Sequence, residues 1–250
     1  MTQVYPLSEG TFTIGHDKKF IPFDEHKDIL EQRPTGSLLV EIQPFLVDTG
    51  KDLLVLDTGL GFSNKDGVLQ IHDNLRKLGY EPEDVTKVLL SHLHKDHIGG
   101  ATYEDEYGKS FATFPQAQYY IYRPEATFAI EKGAPSYVPQ DVEHLLALEN
   151  VQWLDGEAGD IDGYIHFTHS GAHCPQHIVY LIEADGQKIF FGGDEAPQYK
   201  QIKTKYIAKY DFDGRKAMEL REQYAKQGKA EGWQLLFYHD VKTPVSTINF

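Results

Sequence analysis

Apolar residues in this chain gather into short runs, cut by glycine, proline and acidic turns, with helical spacing in only a few stretches. The run 37–47 is rich in leucine and β-branched residues. Asp48-Thr49-Gly50-Lys51 then reads as a turn and Leu53-Leu54-Val55-Leu56 as a returning strand, which together predict a hairpin. Val68, Leu69, Ile71, Leu75 and Leu78 fall at helical spacing, with Gly79 as the stop. Pro82-Glu83-Asp84 predicts a helical turn leading into 85–90, a short apolar run of the kind a buried strand shows. A strand is predicted at 117–122, a helix at 124–131, and another at 141–149 after the turn-rich segment 133–139. The second half repeats the strand theme at 163–169, 177–183, 187–191 and 233–238. A helix over about 212–227 precedes the last of these, capped by Asp211 or Asp213. Strands in both halves with helices between them predict a sheet core covered by helices. No stretch has linker composition and no repeat recurs at a fixed period, so one domain over residues 1–250 is expected.

Composition narrows the class. With 250 residues, 40% hydrophobic and 25% charged, the chain is neither disordered nor of low complexity. No apolar run approaches the ~20 residues of a membrane-spanning helix. The first residues have neither a basic start nor a long apolar stretch, so no signal peptide and a cytoplasmic location are expected. The 24 basic against 38 acidic residues give a net charge of -14, which repels phosphate backbones and argues against nucleic-acid partners. Lys200, Lys203, Lys205 and Lys209, interleaved with Tyr199, Tyr206 and Tyr210, form a basic cluster, read as solvated surface in preference to a substrate clamp. Cys174 is the single cysteine, so there is no internal disulfide and no thiolate-rich zinc site; it reads as a small buried apolar residue. Oligomeric state is left open.

The chemistry lies in the histidines, of which there are twelve. After the run ending at Leu90 comes Ser91-His92-Leu93-His94-Lys95-Asp96-His97-Ile98-Gly99-Gly100. If the strand continues through His92 and His94, its period of two puts both imidazoles on one side, and Asp96 and His97 can reach the same space from the following turn. Imidazoles with a carboxylate at this density suit a borderline divalent ion, zinc first, with manganese, iron or cobalt as alternatives. His173 and His177 in 170–177, Asp194 after an apolar strand and Gly-Gly, and His239 closing 235–238 are further candidates at strand ends.

In their order these residues resemble the metallo-β-lactamase superfamily. Residues 92–97 match its His-x-His-x-Asp-His motif, and Asp57-Thr58-Gly59 matches the Asp-Thr-Gly that precedes it. Ser170 to His177 is similar to the family's histidine loop, Phe191-Gly192-Gly193-Asp194 to its Thr-Gly-Asp element, and His239 stands where the last ligand falls. The resemblance covers about residues 35 to 240 and implies a four-layer αββα sandwich with the metal site at one edge of the sheets. It implies that His92, His94 and His173 hold one metal, that Asp96, His97 and His239 hold a second, and that Asp194 bridges them. Asp57 would orient a ligand histidine, and His177 would support the site without binding metal.

Asp194 in place of a cysteine ligand disfavours antibiotic hydrolysis, and His94 together with the lack of a flavin domain sets aside the flavodiiron branch. The resemblance therefore implies a dinuclear, lactonase-like hydrolase, in which a metal-bridging hydroxide attacks a small ester, lactone or thioester and Asp96 handles the proton. A mononuclear-iron persulfide dioxygenase and a phosphoesterase are the alternatives on the same scaffold. Two departures stand out. Ala172 and Gln176 replace glycines of the histidine loop, and Pro197 stands where lactonases often carry a tyrosine, the nearest being Tyr199. Phe62, Tyr137 and Tyr199 are the candidate substrate contacts.

Overall fold

A strand covered on both faces carries apolar residues at successive positions, each pointing the opposite way from the last. The central runs behave this way in the computed structural model, which describes residues 1–248. In Leu53–Leu56, Leu54 and Leu56 enter one apolar cluster while Leu53 and Val55 enter another. In Gln187–Phe191, Ile189 and Phe191 join that same shared cluster while Phe190 turns to a third.

The three clusters separate four layers. The shared cluster lies between two six-stranded sheets. The first sheet runs in the order Gln3–Pro6, Phe45–Asp48, Leu53–Leu56, Lys87–Leu89, Gln118–Tyr122, Val151–Leu154. Its last four strands are mutually parallel. The second sheet follows chain order: Ala158–Ile161, Ile165–His169, Ile178–Ala184, Gln187–Phe191, Gln234–Leu236, Val245–Thr247. Only Gln187–Phe191 and Gln234–Leu236 pair in parallel there. Helices Gln70–Lys77, Arg123–Lys132 and Pro139–Leu146 cover the outer face of the first sheet through Ile71, Leu75, Ala126, Ala129, Val142 and Leu145. Helices Tyr199–Lys203 and Gly214–Glu231 cover the second through Ile202, Tyr224 and Ala225. This is the αββα sandwich. No described helix is long and apolar enough to cross a membrane.

The predicted elements differ in places. The run 37–47 is two strands: Leu38–Ile42 pairs with Gly10–Ile14 in a small three-stranded sheet, and Phe45–Asp48 forms the hairpin with Leu53–Leu56. Pro44 divides them, since it has no N–H to give a ladder; its carbonyl instead accepts from Leu7 N at 2.7 Å. The helix predicted at 141–149 starts earlier, with Pro139 in the first turn where its missing N–H costs nothing, and stops at Leu146. The last long helix is capped by Asp213, whose side chain accepts from Lys216 N at 2.9 Å, and ends at left-handed Gly232. The strands before residue 36 gave no signal because they are short and half-exposed.

Candidate metal centre

The singled-out residues leave the carboxyl ends of strands, where sheets of parallel strands open toward solvent. Asp57 follows Leu53–Leu56, the 92–97 segment follows Lys87–Leu89, His173 follows Ile165–His169, Asp194 follows Gln187–Phe191, and His239 follows Gln234–Leu236. The strand does not continue through His92 and His94, as one expectation had it. It ends at Leu89, His94 is the extended residue capping the short helix Lys95–Ile98, and Asp96 and His97 project from that helix.

The rings nevertheless converge. His92 Nε2 and His94 Nδ1 are 2.9 Å apart, and His173 Nε2 lies 3.3 Å from the same His94 nitrogen. Nitrogens this close cannot all carry protons, and burial, reinforced by the neighbouring imidazoles, holds His92 and His94 well below the ordinary histidine range. On the other side, Asp96 Oδ2 lies 3.5 Å from His239 Nε2 and 3.7 Å from His97 Nε2. Asp194 stands between the groups. Its Oδ2 is 3.2 Å from His173 Nε2, while Oδ1 is 3.0 Å from His239 Nε2 and 3.4 Å from His97 Nε2. Burial opposes charge on Asp194, yet His239, His173 and His97 hold it well below the usual carboxylate range.

The far nitrogens of His92, His97, His173 and His239 are tied down, which fixes which nitrogen of each faces the centre. His97 Nδ1 donates to Asp57 Oδ2 at 2.7 Å, His173 Nδ1 to Asp211 Oδ1 at 3.1 Å, and His239 Nδ1 to the Glu41 carbonyl at 2.7 Å. His92 Nδ1 meets Ser91 Oγ at 3.0 Å, and that hydroxyl donates to Asp57 at 2.7 Å. His97 Nε2 and Asp194 Oδ1 are buried with no hydrogen-bond partner. Inward-facing lone pairs with unpartnered buried atoms are a donor set that fits cations, and His92, His94, His173 and Asp194 form one compact donor group, with Asp96, His97 and His239 another.

Asp57 also falls within reach of His92 and His97 as a third grouping. Its oxygens, however, already accept from Ser91 N, Ser91 Oγ and His97, so it steers the ring rather than facing the centre. His177 likewise has both nitrogens engaged, Nδ1 with Ser170 Oγ at 3.0 Å and Nε2 accepting from Asp194 N at 3.1 Å. It positions Asp194.

Above the donors opens a cavity of about 530 Å³. His94, Asp96, His173, Asp194 and His239 line it along with apolar Ile14, Phe20, Leu38, Val40, Phe128 and Phe212. Tyr137 lines it too, its hydroxyl donating to buried Glu125 at 3.0 Å. Phe62 does not: its ring packs against Phe12 in a tilted pair, centroids 5.6 Å apart. Nor does Tyr199, which packs on Phe237 and donates its backbone N–H to Asp240. Tyr210 and Tyr206 line the wall instead, because the short helix at 199–203 turns the chain back toward His173. Lys200, Lys203, Lys205 and Lys209 are exposed and outside the lining, as a solvated stretch would be. Cys174 is buried beside Glu125, its Sγ 3.8 Å from both carboxylate oxygens, and burial pushes its thiol up.

Sequence reasoning missed three supporting residues. Glu195, next to Asp194, accepts from Ser170 Oγ, Ala172 N and His173 N, and so shapes the histidine loop where glycines are lacking. Asp211, read only as a helix cap, holds His173 and sits 3.5 Å from buried Arg221. Glu125 accepts from Leu93 N at 3.0 Å, between two of the histidines. A buried acid has no sequence signature of its own. The one cue was Glu195 directly following the aspartate.

A family model described as the metallo-beta-lactamase superfamily matches residues 42–239. The chain belongs to that superfamily. An N-acyl homoserine lactonase of Bacillus sp is 23% identical over 238 residues, 87% of this chain and 89% of the lactonase. An atrochrysone carboxyl ACP thioesterase of Passalora fulva is 25% identical over 168 residues, 66% of this chain and 41% of the thioesterase, so the chain spans less than half of that relative. A probable metal-dependent hydrolase from Staphylococcus aureus superposes with a TM-score of 0.78 at 19% identity, covering 98% of this chain and 92% of that one. The dizinc quorum-quenching lactonase AidC superposes with a TM-score of 0.72 at 20% identity, covering 98% and 90%. The solved structures share the fold, and with the superfamily match and the lactonase and thioesterase relatives they identify this member as a metal-binding hydrolytic enzyme.

Proposed function

We propose that this metallo-β-lactamase-superfamily enzyme holds two divalent ions, zinc first, and hydrolyses a small ester, lactone or thioester. His92, His94 and His173 would hold one ion, Asp96, His97 and His239 the other, and Asp194 would bridge. The observation that carries the reading is Asp194 itself, whose two oxygens face two separate groups of imidazole nitrogens, at 3.2 Å on one side and 3.0 and 3.4 Å on the other. When bound, such ions supply Lewis acidity and lower the pKa of water from 15.7 toward ~7.

The protein's own groups do the rest. Asp96 lines the cavity floor and accepts the proton of the attacking water. As the water oxygen bonds to the acyl carbon and the carbon–oxygen or carbon–sulfur bond breaks, that proton passes to the leaving atom. Tyr210 supplies a hydrogen bond to the substrate oxygen, and its direction is fixed by a chain that begins at an atom able only to accept. The His239 carbonyl takes Gln198 Nε2 at 3.1 Å, so Gln198 Oε1 takes Gln201 Nε2 at 3.3 Å, and Gln201 Nε2 also donates to Tyr210 Oη at 2.9 Å. The Tyr210 proton is therefore left to point elsewhere, and burial keeps it on the oxygen. The apolar wall takes the acyl body. Lactonase and thioesterase relatives both support an acyl substrate.

The deciding test is elemental analysis of protein purified without added metal, followed by a panel of lactones, thioesters, esters and phosphoesters. Two zinc or manganese ions per chain with turnover of acyl substrates is the expected result. One iron per chain with oxygen consumption on a persulfide would overturn it, as would turnover confined to phosphoesters.

A further inference from the structure

The cavity above the donors has a charge pattern opposite to the rest of the molecule. The chain carries a net charge of -14, yet among the described residues the only carboxylates lining the cavity are Asp96 and Asp194, which belong to the donor groups. Three lysines line it: Lys18, Lys95 and Lys132. They arrive from three separate places, the turn after Gly10–Ile14, the start of helix Lys95–Ile98 and the end of helix Arg123–Lys132. Among the described residues none of the three makes an ion pair, a state they share with exposed lysines such as Lys65 and Lys242, but unlike those they line the cavity. Lys95 instead holds its ammonium over the Phe20 ring, 5.6 Å from the centroid, and that ring is itself cavity wall. Lysine stems can lie along apolar surface while the ammonium reaches the water at the mouth.

A hydrolase for neutral acyl compounds has no use for three unpaired cations around an apolar pocket. An acidic protein that must admit an anion does, because its overall field repels the substrate and a local positive rim reverses that repulsion where it matters. We propose that Lys18, Lys95 and Lys132 form an anion-recognition rim, and that the natural substrate is an acyl ester or thioester with an apolar body and a second, anionic group, carboxylate or phosphate, placed away from the scissile bond. This rests on the hydrolase reading above and narrows it to a substrate class.

The test uses matched probes on the metal-loaded enzyme: the hexanoyl thioester of N-acetylcysteamine, the adipoyl monothioester of the same thiol, and hexanoyl phosphopantetheine. The first is neutral, the second carries its charge on the acyl end, and the third on the leaving group, so the two charged probes separate a carboxylate rim from a phosphate rim. At low salt, kcat/KM for one charged probe should exceed that for the neutral one by about tenfold or more. That advantage should shrink as salt screens it and vanish in Lys18→Ala/Lys132→Ala, the charged probes falling to the level of the neutral one measured on the same variant. Lys18→Glu/Lys132→Glu should invert the preference. A parallel calorimetric arm compares binding of hexanamide, adipic acid monoamide and phosphopantetheine, and it reads the anion preference without any turnover. Equal kcat/KM and equal binding for neutral and charged probes would overturn the rim while leaving the hydrolase reading standing. Tight anion binding that survives Lys18→Ala/Lys132→Ala undiminished would overturn it too, since the anion would then not depend on the rim these lysines form. Anion-selective binding with no hydrolysis of any probe would support the rim and count against the hydrolase.

Discussion

At the scale of single residues, the site depends on histidines held from behind. His97 is clamped between Asp57, which accepts its Nδ1–H at 2.7 Å, and Asp194, whose Oδ1 faces its Nε2 at 3.4 Å. Removing Asp194 deletes the group shared by both donor sets, and removing His97 deletes one member of the second. Asp194→Ala and His97→Ala are each expected to abolish hydrolysis and to lower bound metal per chain, read by steady-state kinetics and elemental analysis on the same preparation. Full activity in either variant would dismiss the dinuclear assignment. Tyr210 acts differently, because it touches no metal donor through its hydroxyl. Tyr210→Phe should lower kcat by about 100- to 1,000-fold, the order found for losing one well-placed donor to a developing oxyanion, with metal content unchanged. A rise in KM alone would mean the hydroxyl only helps binding.

Between residue and sheet, the element that sets Asp57 is the loop that follows Leu53–Leu56. Asp57 itself adopts φ 54° and Gly59 φ 77°, and a Cβ on Gly59 would come within 2.5 Å of Glu9 Oε2. Glu9 is the loop's anchor: its oxygens accept from Leu60 N at 2.6 Å and Gly61 N at 3.1 Å. Thr58 in turn ties the loop to the 92–97 segment by accepting neither ring nor carboxylate but by giving its N–H to the His97 carbonyl at 2.7 Å. Burial pushes the Glu9 carboxyl up to about 7, against the pull of those amides and with Asp96 adding to the rise. The folded chain therefore keeps a proton that the unfolded chain releases near its ordinary value of 4.5. The stabilisation is complete below that value and is lost as pH rises through about 7, an effect on the order of 3 kcal/mol. Urea denaturation from pH 5 to 8 should show stability falling across this window, with a shallower fall in Glu9→Gln; identical slopes would remove Glu9 from the account. The left-handed backbone at Asp57 and Gly59 is what constrains residue type there, and the Asp-Thr-Gly signature was legible through its match to the family motif. Glu9 was not, since a carboxylate near the N-terminus looks the same whether it faces water or a loop 50 residues on. The same reason hid Glu195 and Asp211, whereas the inward histidines were legible from their crowding. The substrate wall was legible least: Tyr199 was placed by distance along the chain from Asp194, and a helix of five residues swung Tyr210 into the cavity instead.

On the scale of the whole molecule, the donors come from both halves of the sandwich. His92, His94, Asp96 and His97 follow a strand of the first sheet, while His173, Asp194 and His239 follow strands of the second. The two sheets already share a continuous apolar interior, so each donor set starts from rigid ground and ions held between them would cross-link the layers. A sheet core covered by helices was legible in the order of strands and helices, and the four layers only through the resemblance; the pairing order of the strands was not legible, since parallel neighbours such as Gln187–Phe191 and Gln234–Leu236 are separated by a whole helix. The cross-link has a thermodynamic consequence. An ion that binds the folded chain and not the unfolded one stabilises by about 2.7 kcal/mol at a hundredfold excess over its Kd. For a chain of this size that corresponds to roughly 5–10 °C in Tm. Dialysis against a chelator should therefore lower the melting temperature by that order, and added zinc should restore it. Asp194→Ala should show a much smaller shift, because the ligand shared by both donor sets is gone and the ions that span the two sheets would be held more weakly. A melting temperature indifferent to chelation in the wild-type protein, with metal release verified, would mean that the donors are already held in place by their hydrogen bonds to Asp57, Asp211 and the Glu41 carbonyl, and that the ions serve the reaction without bracing the fold.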